Sequence, residues 1–209
     1  MNSQRLMVIS AVVLALVVAG FIIVPRLTSQ PATADLDYAS QPVAGSRDAP
    51  VKIGLFFDFL CPHCATFSET ITPLLKREFV DTGEAAIYFF NFPVVDPNRS
   101  RTLAVIGECI ARQDNDAFVT LEPIFLRSQQ QIATTARAFD IALEFAPNLD
   151  GAVLRACAAA NETAANVDAD AAAARALGIG GTPAVTVNGT VVTNASLANI
   201  RSAIRNAGN

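Results

Sequence analysis

The spacing of apolar residues changes several times along the chain, and each change marks a different kind of segment. Leu6 to Val24 carries no charge and almost no polar side chain. As a helix rising 1.5 Å per residue, a stretch of this length spans about 28 Å, close to the hydrocarbon thickness of a bilayer. Pro25 to Arg47 shows no period and is rich in Pro, Ala, Ser, Thr and Gln, which reads as a flexible linker. Val51 to Phe59 is a near-continuous apolar run, the pattern of a strand buried on both faces. From Ala65 to Phe79 the apolar residues Phe67, Ile71, Leu74, Leu75 and Phe79 recur at helical spacing, and Pro73 inside them predicts a kink. After a turn at Asp81-Thr82-Gly83, residues 85–92 (AAIYFFNF) form a second strand candidate. Strand, helix, strand in this order implies a right-handed crossover and parallel pairing.

Residues 96–177 then read as helical throughout, in segments Ser100–Arg112, Ala117–Ser128, Thr134–Phe145, Leu149–Ala160 and Val167–Leu177. The period shortens again at Ala184–Val187 and Thr190–Thr193. These flank Asn188-Gly189, the pair preferred where both central residues of a hairpin turn need positive φ. Ser196 is placed to cap a last helix over Leu197–Asn206. The predicted class is α/β, with two parallel strands, a helical block, a hairpin and a closing helix.

Charge narrows the possibilities. The chain has 15 basic and 19 acidic residues and a formal net charge of −4. No basic cluster exists to engage a nucleic acid, and that class is set aside. Arg5 and the terminal amine precede the first apolar stretch, which places residues 1–5 in the cytoplasm and everything after Pro25 outside. A cleaved signal peptide is the competing reading, with Ala32-Thr33-Ala34 as a small-residue cleavage site. The apolar core is longer than the ~7–15 residues of a signal, and that site lies well beyond its end, which favours a retained single-pass anchor over 6–24. Either way the remainder is exported, and four cysteines in an oxidising compartment point to disulfide chemistry.

The candidate chemistry lies in Cys61-Pro62-His63-Cys64. Two thiols three positions apart follow the first strand and open the first helix. There the backbone N–H groups and the helix dipole favour a thiolate at Cys61. Pro62 suits the first helical turn, where its missing N–H costs nothing. His63 is the only histidine, and as a cation beside Cys61 it would stabilise the thiolate further. Half of a zinc site and an inert structural disulfide are the alternatives. Zinc needs two more ligands at close spacing, whereas Cys109 and Cys157 are isolated, and a strand-to-helix turn is a reactive setting for a thiol pair.

Two further segments carry a resemblance. Gly45-Ser46-Arg47-Asp48-Ala49-Pro50-Val51 and Asp58-Phe59-Leu60-Cys61-Pro62-His63-Cys64 resemble the opening of exported DsbA-like oxidoreductases. Leu177-Gly178-Ile179-Gly180-Gly181-Thr182-Pro183, followed by Val187-Asn188-Gly189, resembles their closing half. The resemblance covers roughly residues 45–207. It implies a thioredoxin fold over 48–207 with a DsbA-type helical insertion at about 96–177; the N-terminal transmembrane helix read above from the apolar run would precede it. It also implies a cis Thr182–Pro183 bond facing Cys61 and Cys64, and a Thr182 backbone able to pair with an extended client peptide. The implied activity is introduction of disulfides into exported proteins, with no cofactor beyond the Cys61–Cys64 disulfide. The implied partner is a quinone-linked membrane oxidase of the DsbB or vitamin K epoxide reductase type, and the implied state is a monomer. An extracytoplasmic reductase or isomerase, and a thioredoxin-fold binding or chaperone module, remain as alternatives. Some DsbA-like relatives carry a second disulfide in the insertion, which leaves Cys109 and Cys157 as either a structural disulfide or two buried free thiols. The sequence departs from the family where Leu55 stands in place of a buried acid six positions before the first cysteine. Asp58, three before, is either a proton acceptor or a local hydrogen-bonding group.

Overall fold

The computed structural model describes residues 11–14, 32–132 and 134–208. The chain divides into a unit Met1–Pro31 and a unit Ala32–Asn209. In the first unit residues 11–14 are helical and exposed, and the rest of the predicted anchor over 6–24 lies outside the described residues. Among the described residues no helix is long and apolar enough to cross a membrane.

The second unit is built on a five-stranded sheet of order β1-β3-β2-β4-β5. Its strands are β1 (Val43–Ala44), β2 (Val51–Phe57), β3 (Ala85–Asn91), β4 (Ala184–Val187) and β5 (Thr190–Val191). β2 and β3 pair in parallel from Val51↔Ala85 to Phe57↔Asn91, and β4 returns antiparallel on β2 from Ile53↔Val187 to Phe56↔Ala184. Side chains alternate across the sheet. Ile53, Leu55 and Phe57 enter a core shared with the helical insertion, whereas Phe56 enters a second core with Tyr88, Phe90 and Leu36. Both faces are covered, which is why β2 and β3 read as continuous apolar runs rather than alternating ones. Gly54 sits where β4 crosses closely: a Cβ there would run into Thr186 Oγ1 and the Phe90 ring. The hairpin turn takes φ of 46° at Asn188 and 79° at Gly189.

The kink predicted at Pro73 divides the first helical stretch. Helix α1 (Pro62–Thr70) ends at Ile71, α2 (Thr72–Leu75) follows, and a π-helical turn (Lys76–Val80) completes it. The proline ring excludes the carbonyl of the preceding turn and supplies no N–H. The insertion holds α3 (Pro97–Gln113), α4 (Asn115–Arg127), α5 (Thr135–Phe145), α6 (Gly151–Ala159) and α7 (Ala164–Ala176). Asp96 caps α3 by accepting the N–H groups of Asn98 and Arg99 at 3.2 and 3.1 Å, and Asp114 and Asp150 cap α4 and α6 in the same way. Cys109 on α3 and Cys157 on α6 are joined in a disulfide. The closing helix α8 (Leu197–Ala207) begins at a Ser196 cap and is clamped to the π-helical turn by the two-pronged Arg201–Glu78 pair.

The structure corrects the linker predicted over 25–47. Residues 25–31 lie outside the described residues, but residues 32–47 pack on the sheet. β1 pairs antiparallel with β3 through Val43↔Tyr88 and Ala44↔Ile87. Leu36 is buried, and the Tyr38 ring meets those of Tyr88 and Phe90 edge-on at 4.8 and 5.7 Å. Each contact is a single side chain on an extended path, and a two-residue strand carries no period to read.

The insertion is also tied to the sheet by a buried polar group. Asn91 donates to Glu108 Oε1 at 2.7 Å and to Asp170 Oδ2 at 3.3 Å, and Gln41 donates to Asp170 Oδ1 at 2.8 Å. Burial pushes the carboxyls of Glu108 and Asp170 each up to about 7, with the charge of Asp170 adding to the effect on Glu108. Their folded values lie above the unfolded ones near 4. The folded chain therefore retains protons that the unfolded chain releases, and the resulting stabilisation is full below about pH 4 and lost as pH rises through about 7. In the oxidised protein, where the active cysteines do not titrate, the unfolding free energy is expected to fall by several kcal/mol, on the order of 5, between pH 5 and pH 8. Urea denaturation measures it, and a profile that is flat or rises over that range contradicts the proton uptake.

Candidate active site

β2 ends at Phe57, and the chain turns through Asp58-Phe59-Leu60 into α1. The turn is anchored from several sides. Phe59 meets Phe57 edge-on at 4.8 Å and Phe125 of α4 at 5.5 Å. The Asp58 carboxylate accepts the backbone N–H groups of Leu60, Val94 and Val95, each at 2.9 Å. Asp58 thus joins the end of β2 to the segment after β3, and its oxygens are occupied by backbone donors. Leu55, where the family places an acid, is buried in the core.

Cys61 is the N-cap residue of α1 in extended conformation, with Pro62 at the first helical position. A cysteine supplies no oxygen to cap the helix, so the N-terminal amides are left to the sulfur. Cys61 and Cys64 are both free thiols, 4% and 2% exposed. The Cys64 S–H donates to the Cys61 sulfur, and with the Thr182 contact and the backbone N–H groups of Cys64 and His63 it holds Cys61 down at about 5 against the cost of burial. The same hydrogen bond, together with burial, drives Cys64 strongly upward. One thiol is therefore ionised at neutral pH and the other stays protonated. The His63 side chain is exposed, and it is the His63 backbone N–H that contributes to the cysteine.

The loop before β4 closes the site. The Thr182–Pro183 peptide bond is cis, and the Cys61 thiol lies 3.3 Å from the Thr182 carbonyl oxygen. The structure thus brings Cys61, Pro62, His63, Cys64, Thr182 and Pro183 together, while Cys109 and Cys157 form their disulfide within the insertion. Among the described residues no group of three or more His, Cys, Asp or Glu side chains is placed to hold a metal ion.

One residue at the site carries no sequence signal. Gln129, just past the end of α4, donates from Nε2 to the carbonyls of Phe59 at 3.0 Å and Cys61 at 2.8 Å. It fastens the cysteine turn to the insertion. It sits in a run of three glutamines (residues 129–131), and nothing in the run distinguishes it from its neighbours.

A low-pKa thiolate paired with a buried thiol at a helix N-terminus, on a parallel–antiparallel sheet with a helical insertion, defines a thioredoxin-fold thiol:disulfide oxidoreductase. A family model described as thioredoxin matches residues 38–206, and the chain belongs to that family. It is 35% identical over 156 residues to the probable disulfide bond formation protein D of Bacillus anthracis, covering 73% of this chain and 71% of that one. It is 28% identical to disulfide bond formation protein D of Bacillus subtilis, covering 74% and 70%. Among solved structures, oxidised BdbD from Bacillus subtilis superposes with a TM-score of 0.78 at 25% identity, over 86% of this chain and 99% of that one. DsbA of Chlamydia trachomatis shares the fold with a TM-score of 0.70 at 22% identity, over 86% and 93%. The protein is an enzyme of thiol–disulfide exchange.

Proposed function

We propose that the enzyme works as a disulfide donor to exported proteins through Cys61 and Cys64. The observation that carries this reading is the thiolate at Cys61, held down at about 5. Stabilising the thiolate stabilises the reduced pair, and a stable reduced pair makes the disulfide a strong oxidant. A client thiolate attacks Cys61 of the oxidised pair and expels the Cys64 sulfur, forming a mixed disulfide. A second client thiolate then attacks the client sulfur of that bond and expels Cys61 as its stabilised thiolate. The client gains a disulfide and surrenders two electrons, and the enzyme is left as the dithiol. The Thr182 backbone beside Cys61 holds the client chain extended, strand against strand. The exchange runs between sulfur atoms and calls on no external cofactor.

The same proposal gives the remaining residues their roles. Pro62 starts α1 at the cysteine, and His63 presents an exposed side chain near the mouth of the site. Leu6–Val24 anchors the enzyme with residues 1–5 in the cytoplasm and the catalytic domain outside. A membrane oxidase of the DsbB or vitamin K epoxide reductase type returns the pair to the disulfide, and the enzyme acts as a monomer.

The equilibrium reduction potential of Cys61–Cys64, titrated against glutathione, tests the direction of exchange. A value near or above about −150 mV is expected for a donor, and one near about −250 mV or lower assigns the enzyme to reduction or isomerisation instead. His63→Ala is expected to make the potential more negative. An unchanged value removes the imidazole from the account.

A further inference from the structure

The Cys61 carbonyl is claimed by three donors at once. The backbone N–H groups of Cys64 and Ala65 reach it at 3.0 and 3.2 Å, as the first turn of α1 requires, and Gln129 Nε2 reaches it at 2.8 Å. A carbonyl oxygen has two lone pairs, so the three donors compete, and the Gln129 contact is the shortest. The Cys64 N–H has a second acceptor within reach. Cys61 is the N-cap residue, and its sulfur occupies the place of a capping oxygen, which accepts from the second and third residues of a helix. The Cys64 N–H is accordingly among the groups that act on the Cys61 sulfur. An N–H shared between two acceptors leans toward the one with spare capacity. Gln129 fills the carbonyl and leaves the sulfur.

The amide is held in place for this. The carbonyl oxygens of Phe59 and Cys61 can both be met only by the NH2 end of a glutamine, so the orientation of the amide follows from its partners. The backbone beneath it is fixed as well. The N–H groups of Gln131 and Ile132 close a turn on the Ser128 carbonyl at 2.8 and 3.0 Å, and Ile132 is buried. Phe125, one turn earlier on α4, packs its ring against Phe59. The insertion thus grips the cysteine turn through one ring contact and one amide. We propose that Gln129 is a positioning residue for the redox pair: by occupying the Cys61 carbonyl it directs the Cys64 N–H onto the Cys61 sulfur, so that the helical insertion helps to set the reactivity of that sulfur. This role belongs to the thiolate itself and does not depend on whether the enzyme donates or removes disulfides.

Gln129→Met keeps the length of the side chain and removes both donors. The full chain in nanodiscs, with Cys61 and Cys64 reduced, is alkylated with iodoacetamide from acid to neutral pH, and mass spectrometry reads the labelling of Cys61. The midpoint of the profile reports the thiolate, and Gln129→Met is expected to move it upward by about 0.5–1 unit. The equilibrium with glutathione should move by a matching factor of about three to ten toward the enzyme disulfide. Both shifts are required. Gln130→Met, the same change at an exposed neighbour, should leave both where they are. An unmoved midpoint in a folded Gln129→Met overturns the proposal even where Tm falls, because a contact that only stabilises the fold changes Tm and not the profile. An equal shift in Gln130→Met overturns it as well. If Gln129→Met does not fold, Gln129→Asn, whose amide falls one methylene short of the carbonyls, must show the same upward shift, and an unmoved midpoint there is equally fatal.

Discussion

Cys61→Ser is expected to reduce turnover to the uncatalysed background. A serine hydroxyl neither ionises at neutral pH nor forms a bond to sulfur that a second thiol can displace, so both steps of the exchange are lost. The groups that stabilise the thiolate, the Cys64 S–H and the backbone N–H groups of Cys64 and His63 among them, all act through this one sulfur. Cys64→Ala should behave differently. The thiolate at Cys61 loses its largest stabilising partner, the Cys64 S–H, and its pKa is expected to climb by at least about one unit. The enzyme still attacks a client disulfide but cannot resolve the product, so a covalent client–Cys61 adduct accumulates. Oxidation of a reduced two-cysteine peptide should fail with both variants; oxidised peptide, followed by mass spectrometry, separates them, because only Cys64→Ala retains the thiolate that opens the peptide disulfide and stays bound. Turnover by Cys61→Ser would remove Cys61 from the chemistry and with it the proposed mechanism.

The second large effect is on stability. The Cys109–Cys157 disulfide joins α3 to α6 across 48 positions of sequence. Closing a loop of that size in the unfolded chain is worth about 4 kcal/mol in the chain-entropy account. The double variant Cys109→Ala, Cys157→Ala is expected to lose about that much, a fall of roughly 8–16 °C in Tm for a domain of this size. Replacing both residues avoids leaving a lone thiol to exchange with the active pair. Below the melting range, peptide oxidation should be unchanged, because neither cysteine is part of the site. A Tm within about 3 °C of the parent would mean that the disulfide constrains the unfolded chain far less than its loop length implies. Lost activity in a folded variant would instead reveal coupling between the insertion and the cysteine turn.

What the sequence disclosed, and what it concealed, follows from how local each cause is. The cysteine motif was legible because strand, N-cap, proline and thiol pair fall within a few consecutive residues. The hairpin was legible because Asn188 and Gly189 are the residues that tolerate the φ of 46° and 79° seen there. Helix starts were less so. The reading began α3 at Ser100 and α4 at Ala117, whereas the helices begin at Pro97 and Asn115, because apolar spacing registers the buried face and not the capping turn of Asp96 and Asp114 ahead of it. The packed segment 32–47 resembled a linker because its contacts are made one side chain at a time. Glu108, Asp170 and Glu122 occupied places that a helical pattern assigns to solvent. Only tertiary packing reveals that all three are buried. Gln129 belongs with them, since its two carbonyl partners lie about seventy residues earlier in the chain.

The margins of the sheet have a consequence for an enzyme that handles unfolded chains. An open strand edge templates the addition of any extended peptide, its own clients included. At one margin Asn115 stands in for a neighbouring strand, accepting the Val43 N–H and donating to the Val43 carbonyl, each at 2.8 Å. At the other, residues 32–34 lie along β5: Val191 donates to the Ala32 carbonyl at 3.0 Å, Ala34 donates to the Gly189 carbonyl at 3.1 Å, and Thr33 bridges to Thr190. Both flanks are closed to adhesion, by a side chain on one side and by the N-terminal segment on the other. Under the proposed mechanism, in which the client pairs with the backbone at Thr182, closed margins would leave that strand beside the reactive sulfur as the partner a client finds, so the same devices that guard against aggregation would also favour productive encounters.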